Sequence, residues 1–215
     1  MKITKVKNRG ILFTFDGYGW DLNLYLILGR KYNYIIDTGL GSDSVSPIKE
    51  YIKNDNKPII VINTHYHWDH IWGNNEFKDR IIISHKLCRD LIEKNWEYMM
   101  ERNEKYISGE VKICLPNLVF ENELYFPEDK IRLIYTPGHT DDSISIIDEE
   151  EKVLNVADNI GDTVEEIIPS IFGNKEDYIQ SLEKYKRLYF DTCVSGHNVI
   201  LKKDVFDIIS EKFKI

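Results

Sequence analysis

The chain has 215 residues, of which 42% are apolar and 30% charged, which suits a soluble globular domain large enough for a full core. Its 28 basic and 36 acidic residues give a net charge of -8, and the bases are scattered, which excludes the concentrated basic footprint of a general nucleic-acid binder. The longest apolar runs, Pro58 to Asn63 and Arg80 to Ser84, are strand-sized and far too short to cross a bilayer.

Met1 to Gly10 carries Lys2, Lys5, Lys7 and Arg9 with no apolar segment and cleavage site behind it, so no secretory signal is expected and a cytoplasmic location is. Cys88, Cys114 and Cys193 lack paired spacing and are expected to be reduced, with neither a disulfide framework nor a cysteine zinc site. No repeat, low-complexity tract or Gly/Ser linker divides the chain, so one domain over 1–215 is expected.

Strands are predicted at Ile11 to Phe15, Leu22 to Leu28 and Tyr32 to Ile36, the last two joined as a hairpin through Gly29-Arg30-Lys31. Asp37-Thr38-Gly39 ends that hairpin. Ser46-Pro47 signals a helix start, with Ile48, Tyr51 and Ile52 at helical spacing before Asn54 and Pro58. A buried strand follows at Ile59 to Asn63, another at Arg80 to Ile83, then a helix from Lys86 to about Met100 with Leu87, Leu91, Ile92 and Trp96 on one side. From there to Phe120 the pattern has no period, and the stretch could cover a site or pack across a dimer. Further strands are predicted at Lys130 to Thr136, Ser143 to Ile147, Lys152 to Val156 and Thr192 to Ser195, with helices at Lys175 to Tyr189 and Lys203 to Phe213. The pattern suggests an α/β protein, two sheets face to face with helices outside.

Chemistry concentrates in the histidines. The chain has six, and three fall within Thr64-His65-Tyr66-His67-Trp68-Asp69-His70. A fixed H-x-H-x-D-H run is expected by chance on the order of 0.0004 times in a chain of this composition. It follows a strand, so extended alternation puts His65 and His67 on one face, and a turn at Trp68 could swing Asp69 and His70 toward a second ion. Four side chains cannot fill two metal shells, so further donors are expected from loops after apolar runs: His139, Asp158 and His197. His85, at a strand-to-helix junction, reads as a capping residue. Asp142 is a candidate to support His139, and the run Glu149-Glu150-Glu151 reads as a solvated turn.

These residues resemble the metallo-beta-lactamase-fold superfamily over nearly the whole chain. The resemblance rests on H-x-H-x-D-H at His65, His67, Asp69 and His70, His139 in a P-G-H-T loop, Asp158, the final G-H at His197, and the Asp37-Thr38-Gly39 turn. It implies a four-layer alpha-beta/beta-alpha sandwich with His65, His67 and His139 on one metal, Asp69, His70 and His197 on the other, and Asp158 bridging. Asp37 is expected to hold a ligand's remaining N–H. The implied cofactors are two divalent metal ions, zinc first, with iron or manganese also compatible with these donors.

Departures within the family narrow the activity. Asp158 stands where beta-lactamases of the largest subclass carry cysteine, and His67 where oxygen-reducing diiron relatives carry glutamate. Glyoxalase II relatives continue past the last histidine with a glutathione-gripping helical domain, whereas here one helix's length follows. The expected function is therefore that of a glyoxalase II-like or general zinc-dependent hydrolase, in which a metal-bridging hydroxide, oriented by Asp69, attacks a small ester, thioester or lactone. The alternatives are a mononuclear iron persulfide dioxygenase, or a metal-binding or sensing protein without turnover. Trp20, Tyr66, Trp68 and Trp72 are candidates for a substrate wall. The expected partner is a small-molecule substrate, with no nucleic acid, no membrane and possible homodimerisation.

Overall fold

The computed structural model describes residues 1–213, whose contacts gather into two compact units, Met1–Glu121 and the chain from Asn122 onward. The first unit runs through β1 (Lys2–Val6), β2 (Gly10–Phe15), β3 (Leu22–Leu28), β4 (Asn33–Ile36), α1 (Ser42–Tyr51), β5 (Ile59–Ile62), the one-turn α2 (Trp68–Ile71), β6 (Ile81–His85), α3 (Lys86–Asn103) and β7 (Leu118–Phe120). Its strands lie in one sheet in chain order, antiparallel from β1 to β4 and parallel from β4 to β7. Alternate residues Ile11, Phe13, Leu24, Leu26, Ile35, Val61 and Ile82 share one face and bury Val45 and Ile48 of α1, and Ile52 just after it, against them.

Helix α1 begins at Ser42, earlier than Ser46-Pro47 suggests, and encloses Pro47. Its first amides have no side-chain cap. Ser42 and Asp43 donate instead to the carbonyls of Glu110 and Ser108, at 3.1 and 3.2 Å, so a segment distant in sequence satisfies the helix start. The same contacts fix the aperiodic stretch beyond α3. Ser108 N–H also reaches Leu40 O at 3.0 Å, Asn74 Nδ2 reaches Cys114 O at 3.1 Å, and Arg89 donates to Pro116 O. In α3, Cys88, Ile92, Trp96 and Met99 form the buried face, while Leu87 is exposed rather than inward. Ile71 and Trp72 complete that cluster.

The second unit contains β8 (Glu123–Phe126), β9 (Ile131–Tyr135), β10 (Ile144–Asp148), β11 (Val153–Asn155), α4 (Lys175–Arg187), β12 (Thr192–Val194), β13 (Leu201–Lys202) and α5 (Val205–Phe213). These strands are ordered β13-β12-β11-β10-β9-β8, with only β11 and β12 parallel among the described residues. Asn174 caps α4 by accepting from Glu176 and Asp177 amides, and acids in the first turn and bases in the last complement the helix dipole. Tyr178, Leu182 and Tyr185 of α4 and Phe206 and Ile209 of α5 pack on Ile147, Leu154 and Cys193. Strands β1, β7, β8 and β13 were not among the predicted elements, and their largely exposed or very short sequences explain why. No described helix is long and apolar enough to cross a membrane.

Candidate metal centre

In the first unit, β5 ends at Ile62 and the chain stays extended at His67 before α2 turns at Trp68. The turn brings four polar side chains together: the His65 ring centroid lies 4.7 Å from that of His67 and 4.1 Å from that of His70, and His70 Nε2 is 3.7 Å from Asp69 Oδ2. His65, Asp69 and His70 are buried and His67 is half-buried.

Asp37 organises this group from below. Its carboxylate accepts from Thr64 N–H at 2.8 Å, Thr64 Oγ1 at 2.7 Å and His70 Nδ1 at 2.8 Å. Thr64 Oγ1 is in turn 3.1 Å from His65 Nδ1. A carboxylate can only accept, so His70 carries its proton on Nδ1; the hydroxyl spends its proton on Asp37, so His65 also donates from Nδ1. Both imidazoles therefore present Nε2 as the lone-pair nitrogen, the tautomer a metal ligand needs. Asp37 itself sits in the left-handed region at φ 62°, which Asp tolerates better than most residues. Gly73 backs the arrangement by close approach: a Cβ there would lie 2.3 Å from Thr38 O, and Thr38 donates from its N–H to His70 O and from its hydroxyl to Asn74 Oδ1.

In the second unit, His139 follows β9, Asp158 follows β11 and His197 follows β12. Asp158 Oδ2 is 3.2 Å from His197 Nε2 and 3.6 Å from His139 Nε2. His139 Nδ1 donates to Ser170 O at 2.7 Å, which again leaves Nε2 as the lone-pair nitrogen, and the Phe172 ring stands edge-on to the imidazole at 5.3 Å. All three ligand candidates are buried. Among the described residues, those able to group around an ion are the seven expected from the sequence, and imidazoles beside carboxylates, three of them with Nδ1 engaged by Asp37, Thr64 and Ser170, are a donor set that fits a divalent cation.

The remaining expected residues fall as follows. Trp68 stacks on Tyr106 at 5.0 Å and 20°, and Trp20 stands edge-on to both at 6.0 and 6.2 Å. Tyr66 lies 4.7 Å from the His67 ring. Trp72 has 0% exposure and packs 5.2 Å behind Trp68, so it braces the aromatic group rather than facing solvent. His85 caps α3, accepting Leu87 N–H on Nδ1 and donating from Nε2 to Glu121 O. Its pKa is lowered by burial, against the pull of that carbonyl. Thr64 and Ser170 were not singled out from the sequence, and Tyr106 only as part of the aperiodic stretch that could cover a site. Thr64, directly before the histidine run and within reach of the Asp37 turn, was the most findable of them.

Residues 17–197 match the model of the metallo-beta-lactamase superfamily, and the chain belongs to that superfamily. A Methanocaldococcus jannaschii protein described as a probable metallo-hydrolase is 32% identical over 163 residues, 72% of each chain. The human acyl-coenzyme A thioesterase MBLAC2 is 24% identical over 190 residues, covering 75% of this chain and 66% of that one. The Caenorhabditis elegans beta-lactamase-like protein 2 homolog is 27% identical over 90% of this chain, which spans only 60% of that relative's length. Among solved structures, the DIM-1 metallo-beta-lactamase aligns with a TM-score of 0.77 at 16% identity over 98% of this chain and 95% of its own. The α/β metallo-beta-lactamase fold expected from the sequence is thus the fold of this chain.

Proposed function

We propose that the chain is a metal-dependent hydrolase of small acyl thioesters, acting as one domain over 1–215 with two divalent cations, zinc first. His65, His67 and His139 would hold one cation and Asp69, His70 and His197 the other, with Asp158 available to either. The observation that carries this reading is the set of imidazoles whose Nδ1 protons are spent on Asp37, Thr64 and Ser170, an orientation that leaves Nε2 as the nitrogen a Lewis acid would bind. Relatives described as a metallo-hydrolase and as an acyl-coenzyme A thioesterase support the hydrolytic class and the thioester bond.

When bound, the cations supply Lewis acidity for the substrate carbonyl and bring the pKa of water toward neutrality. Asp69 orients the attacking water by accepting its hydrogen bond, and Asp37 keeps His70 in the ligating tautomer throughout. Trp68, Tyr106 and Trp20 form an apolar wall for the acyl group, with Tyr66 beside His67 and Trp72 behind. The thiol in the cluster behind this wall, Cys88, is fully buried, which favours water over a side-chain thiol as the acceptor of the acyl group.

The test is metal analysis of protein purified without added metal, followed by thiol release from a panel of acyl-coenzyme A, ester, lactone and phosphoester substrates. Two zinc ions per chain with thiol release from acyl thioesters, both diminished in Asp158→Ala, is the expected result. A fully metallated chain inert across the panel would leave a binding or sensing role, and one iron per chain with oxygen uptake on a persulfide would assign oxygen chemistry instead.

A further inference from the structure

The ligand candidates of the second unit come from three separate loops, and one of these, the short turn of residues 155–159 that carries Asp158, is bonded to the other two. Asn155 Oδ1 accepts Ala157 N–H at 2.9 Å, and Ala157 takes the left-handed conformation at φ 47°, which bends the chain so that Asp158 leaves the sheet edge. Ala157 O accepts the N–H of Gly196, the residue before His197, at 3.0 Å. Asn159 Oδ1 accepts the backbone N–H of His139 at 2.8 Å.

Asn159 is fully buried and uses both ends of its amide. Nδ2 donates to Thr136 O and to the Tyr185 hydroxyl, each at 2.7 Å, and its own carbonyl accepts from Tyr178 at 3.1 Å. The Tyr185 hydroxyl continues to Ser145 Oγ and from there to Thr136 Oγ1, each step 2.8 Å. Burial holds the Tyr185 phenol protonated, its pKa pushed up to about 12. Gly138 makes the approach feasible, since a Cβ there would lie 2.5 Å from Asn159 Oδ1. A side chain at 159 must therefore accept from an amide N–H and donate to a carbonyl oxygen within a three-atom reach, which among the twenty residues describes asparagine.

We propose that Asn159 is a positioning residue that locks the His139 loop to the Asp158 turn, so that the imidazole and the carboxylate stand 3.6 Å apart before an ion arrives. The inference rests on the reading of His139 and Asp158 as metal ligands. It assigns to α4, through Tyr185 and Tyr178, the support of two ligands that α4 does not itself carry.

Asn159→Asp is the sharpest variant, nearly identical in shape but setting a carboxylate oxygen against Thr136 O. Zinc affinity of the folded, metal-free chain is measured by chelator competition, beside its thermal midpoint. Asn159→Asp is expected to weaken at least one zinc by roughly 10- to 100-fold, the usual consequence of losing a residue that orients a ligand. Should Asn159→Asp not fold, Tyr185→Phe removes only the hydroxyl that accepts from Nδ2, and a smaller loss in the same direction is expected. Ile209→Ala, a core truncation in α5 that removes none of the network's hydrogen bonds, lowers the thermal midpoint and is expected to keep its zinc affinity within about twofold. Wild-type affinity in folded Asn159→Asp or, where that variant does not fold, in Tyr185→Phe would overturn the inference, as would an equal loss in Ile209→Ala. A wild-type chain that binds no zinc would overturn the metal reading itself and this inference with it, a pattern distinct from the other two.

Discussion

Replacing Asp37 by Asn isolates what the carboxylate does beneath the first four ligand candidates. Asparagine matches its volume and accepts the left-handed backbone at φ 62°, so the fold has no reason to move. The hydrogen bonding does. Asp37 accepts three bonds, from Thr64 N–H, Thr64 Oγ1 and His70 Nδ1. An amide can match the backbone N–H with its oxygen only by turning its NH2 toward His70, where donor meets donor; the opposite flip sets NH2 against Thr64 N–H. The first arrangement is relieved only by moving the His70 proton to Nε2, which removes that nitrogen as a ligand. The expected cost is roughly 10- to 100-fold in zinc affinity, or about 1.4 to 2.7 kcal/mol. Chelator competition against the wild-type chain measures it, with far-ultraviolet circular dichroism of the metal-free forms confirming equal folding. A folded Asp37→Asn that binds zinc within about twofold of wild type would refute the tautomer reasoning.

Three further outcomes are expected. Gly73→Ala places a methyl 2.3 Å from Thr38 O and should cost about 1 to 3 kcal/mol in urea unfolding; an unchanged midpoint would show that the backbone there is not as closely packed as described. Trp68→Ala should raise KM roughly tenfold for a long-chain acyl thioester and little for an acetyl one, because the wall contributes apolar contact of about 1.5 kcal/mol or more; equal effects on both would remove Trp68 from acyl recognition. His85 has a folded pKa below the ordinary 6.5, so the unfolded chain takes up a proton that the folded chain refuses. Its contribution is whole above that pH and is lost as pH falls through and below it, so His85→Gln should flatten part of the decline in metal-free stability between about pH 7 and pH 5, and an unaltered slope would show that His85 does not couple to it.

The strands that the apolar runs foretold, β3, β4, β5 and β10, are those buried along their length, where composition alone carries the signal. β7 was hidden because Leu118 and Val119 lie exposed, and β1 because Lys2, Ile3 and Lys5 do too. The start of α1 was misjudged for another reason: what satisfies its amides sits at 108–110, and no local pattern can announce a partner so far along the chain. The candidate site divides the same way. Its ligand candidates were legible because metal chemistry restricts them to a few residue types at tight spacing. Asn159, Ser170 and Tyr185 were not, since an amide, a carbonyl and a phenol acquire their roles only through neighbours that folding delivers.

The order of strands in the two sheets has a kinetic corollary. In the first unit each strand pairs with its immediate successor in the chain, through tight antiparallel connections from β1 to β4 and through longer crossovers from β4 to β7, so a ribosome-bound chain can add β1 to β7 as they emerge. The second unit also pairs its strands in chain order, but β11 meets β12, its parallel neighbour, only across a long loop and the whole of α4. Folding of that unit is therefore expected to be gated by docking α4, the helix whose tyrosines hold Asn159, so the geometry of His139 and Asp158 would be completed late, as a final act of assembly rather than an early one.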